Sequence, residues 1–108
     1  MDELPGGEAA LWRAVLEQNP RGFSQLFALH RDAAFRQALR LVAQPADAEE
    51  VVAAAFFELW RKRHAVRVID GSVLPWLLVT TTNLARNSHR ALVRREALLA
   101  RIPRERDD

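Results

Sequence analysis

Apolar side chains recur every three or four positions along most of the chain, and prolines cut that pattern into segments. The first segment, Glu8 to Gln18, sets Ala9, Leu11, Trp12, Val15 and Leu16 at helical spacing before Asn19-Pro20 stops it. Asn19 then caps a second helix that has Pro20 at its first position, where a missing N–H costs nothing. Phe23, Leu26, Phe27, His30, Ala34, Ala38 and Leu41 follow on one side. That helix is expected to run to about Ala43, because Pro45 disfavours helical geometry at Gln44. A third helix is predicted to start at Asp47, which forms a capping-box-like pair with Glu50 among acids that suit a positive first turn. Between His64 and Ser72 the periodicity fails, and Val66, Val68 and Ile69 lead into Asp70-Gly71, a turn signal. This stretch reads as an ordered loop, with a short strand lacking a visible partner as the alternative. Ser72 caps a fourth helix that carries Pro75 in its tolerant first turn. The pattern predicts an all-α fold, a compact bundle of four helices over 8–18 and about 20–43, 47–63 and 73–99, in one domain spanning 1–99. Residues 100–108 are expected to be a frayed tail or the start of a linker.

Two helical faces have no use inside such a bundle. At 100° per residue the fourth helix places Leu77, Thr81, Leu84, Ser88, Ala91, Leu92, Arg95 and Leu99 on one side. Trp76, Thr80, Asn83, Arg86, Asn87, Arg90 and Arg94 form the opposite stripe, which contains no acid. A solvated face ordinarily mixes signs, whereas Arg86, Arg90 and Arg94 at four-residue steps repel one another by a few tenths of a kcal/mol. A polyanion turns that cost into a gain: guanidinium matches phosphate and base edges, Asn donates and accepts, and an aromatic ring stacks on an unpaired base. The alternative is a merely solvated arginine face in a chain with 15 Arg and one Lys. On the third helix Val51, Val52, Ala55, Phe56 and Leu59 supply the core side. Glu50, Ala53, Ala54, Phe57, Glu58 and Arg61 look outward, so Phe57 is on the wrong side for the core. A large apolar residue among alanines and charges reads as a docking site for a partner helix. The alternative is that a neighbouring helix of the same bundle covers it.

Charge sharpens this division. The 108 residues carry a net charge of only +2. Residues 1–60 hold five Arg against nine acids (−4), and residues 61–108 hold eleven Arg or Lys against five acids (+6). A basic half suits a polyanion and an acidic half another kind of partner. With 49% hydrophobic and 28% charged residues the chain is not a disordered tail, and without cysteine it has neither a disulfide framework nor a thiol nucleophile. His30, His64 and His89 sit on separate segments with no ligand-pair spacing, the glycines form no phosphate loop, and the serines lack an elbow motif. No metal, no cofactor, no small-molecule substrate and no enzymatic activity are expected. The longest uncharged run, Gly71 to Ala85, falls short of the ~18 to 20 residues of a spanning helix, and the amino terminus lacks an apolar leader. A cytoplasmic protein with no membrane contact is the expectation.

Asp47-Ala-Glu-Glu-Val-Val, Phe56, Leu59-Trp60-Arg61, Pro75-Trp76-Leu77-Leu78, Thr82-Asn83-Leu84-Ala85 and Arg90, taken in order and spacing, resemble one known family. They look like region 2 of the extracytoplasmic-function (ECF, group 4) sigma factors of the sigma-70 family, over about residues 19–96. The resemblance implies that the third helix docks on the clamp helices of the RNA polymerase β′ subunit through Asp47, Glu50, Ala54, Phe57 and Arg61. It further implies that the loop and fourth helix recognise and melt the promoter −10 element. Arg63, His64, Arg67, Asp70, Gly71 and Ser72 then form the pocket for a flipped base, and Trp76, Thr80, Asn83, Arg86, Asn87, Arg90 and Arg94 bind the non-template strand of the promoter DNA. Opening is then driven by binding, captured bases and phosphate contacts offsetting the cost of unstacking. An anti-sigma factor is a further implied partner. Family members often carry Gln-Glu at Ala53-Ala54 and an Asp at Asn87, so the clamp contacts are less polar here and the stripe lacks one negative charge. No helix-turn-helix of the family's second domain, region 4, is recognised in the chain. The competing function is a helical protein–protein interaction module, for dimerisation or inhibitor binding, without a DNA role.

Overall fold

The computed structural model describes residues 7–103. They form four α-helices: α1 (Gly7–Leu16), α2 (Pro20–Leu39), α3 (Pro45–Arg61) and α4 (Leu74–Ala100). Among the described residues there is no strand, and no helix is long and apolar enough to cross a membrane.

The turn between α1 and α2 is closed from both sides. Gln18 N–H donates to Val15 O (3.0 Å) and Asn19 N–H to Ala14 O (2.9 Å), the paired bonds that finish a helix through one left-handed residue. Gln18 is that residue, with φ +62°, a position glycine ordinarily takes. Asn19 then begins α2, its side chain accepting from Arg21 N–H at 3.0 Å ahead of Pro20. One turn on, Gly22 lets the two helices touch. A Cβ there would stand 2.7 Å from Ala14 Cβ and 3.0 Å from Leu11 O.

Pro45 has the opposite role from the one its position suggests. It opens α3 at the first helical position, behind an extended Gln44, and Asp47 accordingly lies in the first turn instead of at the cap. The end of α2 at Leu39, earlier than the expected 43, has a local cause. Leu41 and Val42 N–H both return to Ala38 O (2.9 and 3.1 Å), and the two side chains fold onto the core. After α3 comes a 3₁₀ turn at Arg63–Ala65, then the loop. Ile69 and Ser72 exchange two hydrogen bonds of 3.0 Å across Asp70 and Gly71, whose φ values are +51° and +74°. That is a two-residue turn with both central residues left-handed, and it takes the place of the alternative strand. Ser72 Oγ accepts from Leu74 N–H at 3.0 Å, although Val73 occupies the formal cap position of α4.

Val15, Leu26, Leu59, Val73, Leu77 and Thr81 are sealed from solvent, and Ala34, Ala38, Ala48, Ala55 and Ala85 allow the helices to approach between them. Thr81 hides its hydroxyl by donating to Leu77 O at 2.7 Å. Phe23, Phe27, Phe56 and Trp60 meet edge to face, with centroids 4.7–6.2 Å apart.

The expected inner side of α4 is buried only in its first half. Leu77 and Thr81 are inside and Leu84 and Leu92 half-buried, whereas Ser88, Ala91, Arg95 and Leu99 are exposed; Ala85, on neither expected face, is buried as well. The cause is length: the 27 residues of α4 reach about 40 Å, against about 30 Å for the 20 residues of α2. The last turns of α4 overhang the bundle, leaving Leu98, Leu99 and Ile102 exposed, in a molecule 68 Å long and 27 Å across. Of the stretch assigned to a tail or linker, Ala100 is still helical and residues 104–108 lie outside the described residues.

Candidate nucleic-acid interface

Every member of the α4 stripe from Asn83 onward is exposed: Asn83, Arg86, Asn87, Arg90 and Arg94. Arg90 Nη2 donates to Oδ1 of the Asn87 side chain, one turn back on the same face. No carboxylate pairs with Arg86, Arg90 or Arg94 among the described residues. Arg101, eleven residues after Arg90, falls on this face too, so the basic stripe follows the helix beyond the bundle. The head of the stripe is different. Trp76 is half-buried and packs against the core, because at the first turn of α4 a large ring folds back over the bundle in preference to facing solvent. Thr80 is half-buried as well. The freely presented surface is therefore amide and guanidinium, without the ring.

The loop before α4 presents His64, Arg67, Asp70 and Gly71 to solvent. Arg63 is not available in the same way: its guanidinium lies 4.0 Å over the Trp60 ring and donates to Trp60 O at 2.8 Å, which ties it to the end of α3. The far end of the loop is held from an unexpected direction. Val73 N–H donates to a Glu8 carboxylate oxygen at 2.8 Å, across 65 residues of sequence. The same oxygen lies 3.0 Å from His30 Nε2. Burial pushes the Glu8 carboxyl up, but His30, the Val73 N–H and Ser72 outweigh it and hold it below the usual carboxylate range. The sequence pattern gave no sign of this contact. Glu8 is an unremarkable acid at a helix start and His30 reads as one more core position on α2.

On α3 the outward stripe is as expected. Glu50, Ala54, Phe57 and Arg61 are exposed and Asp47 is half-buried. Phe57 is 62% exposed, so no helix of the bundle covers it. Arg61 is already engaged, donating through Nε (3.0 Å) and Nη2 (2.7 Å) to both Glu58 oxygens. Its hydrogen bonds and charge draw the Glu58 carboxyl below its ordinary value. Phe57 forms one wall of an apolar groove of about 680 Å³ that also takes in Pro20, Phe23 and Phe27 from α2 with Ala53 and Trp60 from α3. The α2 share of this groove was hidden in the sequence, because Phe23 and Phe27 keep the same spacing as the buried Leu26 and His30.

These two surfaces lie on different helices, one apolar and one basic, with no cluster of acids or imidazoles fit for a metal among the described residues. No curated protein and no solved structure matches the chain. The family description Sigma-70 region 2 matches residues 26–95, from the second turn of α2 to just past Arg94. That family is not a class of enzymes; it acts with RNA polymerase and promoter DNA in transcription. With well over half its length inside that match, on an all-α bundle, this chain belongs to the sigma-70 family and carries its region 2 domain.

Proposed function

We propose that the chain is the region 2 domain of an extracytoplasmic-function sigma factor, which docks on the β′ clamp helices of RNA polymerase through α3 and binds the opened −10 element through α4. One observation carries this reading: an uncovered aromatic side chain on α3 and an acid-free, uncovered row of Asn and Arg on α4 occupy separate helices. Glu50, Ala54, Phe57 and Arg61, flanked by Asp47, form the polymerase-facing surface. The alanines let a clamp helix approach closely, and the groove beside Phe57 offers apolar area to bury. On the other surface Asn83, Arg86, Asn87, Arg90 and Arg94 take the non-template strand. The turn at Asp70-Gly71, with His64, Arg67 and Ser72, holds a flipped base. Arg63, Trp76 and Thr80 support these parts from below. The work is binding throughout: unstacking costs a few kcal/mol per step, and captured bases with neutralised phosphates offset it. Such a domain acts where the polymerase is, in the cytoplasm, and an anti-sigma factor is a partner suited to covering the same surfaces.

Phe57→Asp tests the assignment. It removes the apolar anchor and puts a charge where a helix must pack, at a site too exposed to matter for folding. The variant is expected to lose capture of a β′ clamp-helix fragment while melting like the parent chain. Undiminished capture refutes the docking surface.

A further inference from the structure

Beside the arginine stripe, where the end of α2 crosses α4, lies a second concavity of about 350 Å³ lined by Gln37, Leu78, Val79, Thr82, Asn83 and Arg86. Leu78 and Val79 give it apolar lining, and Gln37, Thr82, Asn83 and Arg86 give it polar lining. Val79 is 61% exposed, a large aliphatic side chain that the bundle does not use. Next to it Leu78 is half-buried. The amide of Gln37 is fixed in orientation: Nε2 donates to Thr82 Oγ1 at 2.9 Å, and Oε1 faces Arg40 Nη1 at 3.4 Å. Thr82 in turn donates to Leu78 O at 2.8 Å, so its hydroxyl hydrogen is committed. One Nε2 hydrogen of Gln37 remains, together with the whole guanidinium of Arg86 and the amide of Asn83, none of them paired with another side chain among the described residues. Arg36 and Arg40, exposed on the adjoining turns of α2, extend the basic surface past the concavity.

We propose that this cleft between α2 and α4 is a second base site, which takes one unpaired nucleobase from the DNA strand lying on the stripe. The inference rests on the nucleic-acid reading above and goes beyond it in naming a separate pocket and its preference. The apolar side chains of Leu78 and Val79 suit the face of a heterocycle, and the donors beside them suit its edge. The free groups are mostly donors, and a guanidinium fits two neighbouring acceptors best, so a base with a carbonyl edge, guanine or thymine, is favoured over adenine. Arg36 and Arg40 then meet phosphates on the far side, which carries the strand from α4 across the end of α2.

The test uses the whole chain and a labelled single-stranded DNA of the −10 non-template sequence, made abasic at one position at a time. In the parent protein one abasic position, distinct from any read by the loop, is expected to lower affinity by about five-fold or more. Gln37→Ala and Val79→Ala should each erase that penalty at the same position. Arg90→Ala should weaken binding of every oligonucleotide and leave the penalty in place. Val79→Ala, at an exposed position, keeps the test informative should Gln37→Ala melt early. An unchanged abasic profile in both cleft variants overturns the second base site while leaving the stripe standing. Absence of strand binding by the parent chain overturns both.

Discussion

Arg90→Ala should flatten the salt dependence of strand binding by an amount the structure fixes in advance. Arg86, Arg90 and Arg94 stand on one exposed face without a carboxylate partner, so each is free to neutralise one phosphate. For a single strand each such contact contributes a slope of about −0.7 in log affinity against log salt, giving about −2.1 for the three. Raising salt from about 50 to 200 mM then costs roughly 18-fold in affinity. Without Arg90 this share falls to about −1.4 and roughly seven-fold, so whatever Arg36, Arg40 and Arg101 add to both chains, the two slopes should differ by about 0.7. Fluorescence anisotropy of a labelled −10 oligonucleotide, titrated at several salt concentrations, reads that difference directly. The control is Arg95→Ala, equally exposed but on the apolar side of the same helix, which should leave the slope where it was. Neither change should cost more than about 0.5 kcal/mol of stability, since both side chains are solvated. A slope near zero in the parent chain, or equal flattening by the two variants, would show that the stripe does not track a phosphate backbone.

Two further expectations concern what holds the surfaces in place. Gly22→Ala brings a methyl group to 2.7 Å from Ala14 Cβ and 3.0 Å from a backbone oxygen, forcing α1 off α2. Overpacking of about 1–3 kcal/mol offsets or exceeds the roughly 1 kcal/mol gained in helix propensity, so urea unfolding should show no gain and up to about 2 kcal/mol of loss, where an unhindered Gly→Ala change would stabilise. A Gly22→Ala chain more stable than the parent would contradict the close approach. Glu8→Ala leaves the Val73 N–H without its acceptor and should cost about 1–2 kcal/mol. Because the folded-state Glu8 carboxyl titrates below the value of 4.5 of an unperturbed glutamate, its stabilisation is complete above that pH and fades as the pH falls through the lower folded value. Unfolding of the parent and of the Glu8→Ala chain should therefore converge in acid; a gap that does not change with pH would refute the linkage.

What could be read along the chain and what could not divide by the range of the interaction. Asn19 followed by Pro20 announces a helix start through chemistry confined to three residues, and the structure follows it. Gln44-Pro45 repeats only the proline half of that signal, since Gln44 makes no side-chain cap, and Asp47 and Glu50 offer a rival start three residues on. Which proline ends a helix and which begins one is settled by where Leu41 and Val42 find apolar contact. Helical periodicity sorted Val52, Ala55, Phe56 and Leu59 from Glu50, Ala54, Phe57 and Arg61 correctly, because both sets are decided by one helix. It failed for Ser88 to Leu99, since burial there needs a neighbour and periodicity is silent about where neighbours stop. Glu8 with Val73 and Gln37 with Thr82 lie 65 and 45 residues apart, and nothing in the composition of either segment points to the other.

The region of family likeness begins at residue 26, yet α1 ends at Leu16 and supplies Leu11, Trp12 and Val15 to the same core. A border drawn by likeness is thus not a border of folding. Trimmed to that border, the remaining helices would expose the trough that Trp12 and Val15 fill, strip the polar cover from His30 and unmoor the α4 start beside the loop. The part of the molecule that carries the likeness depends for its shape on the ten residues of α1, which likeness alone would discard.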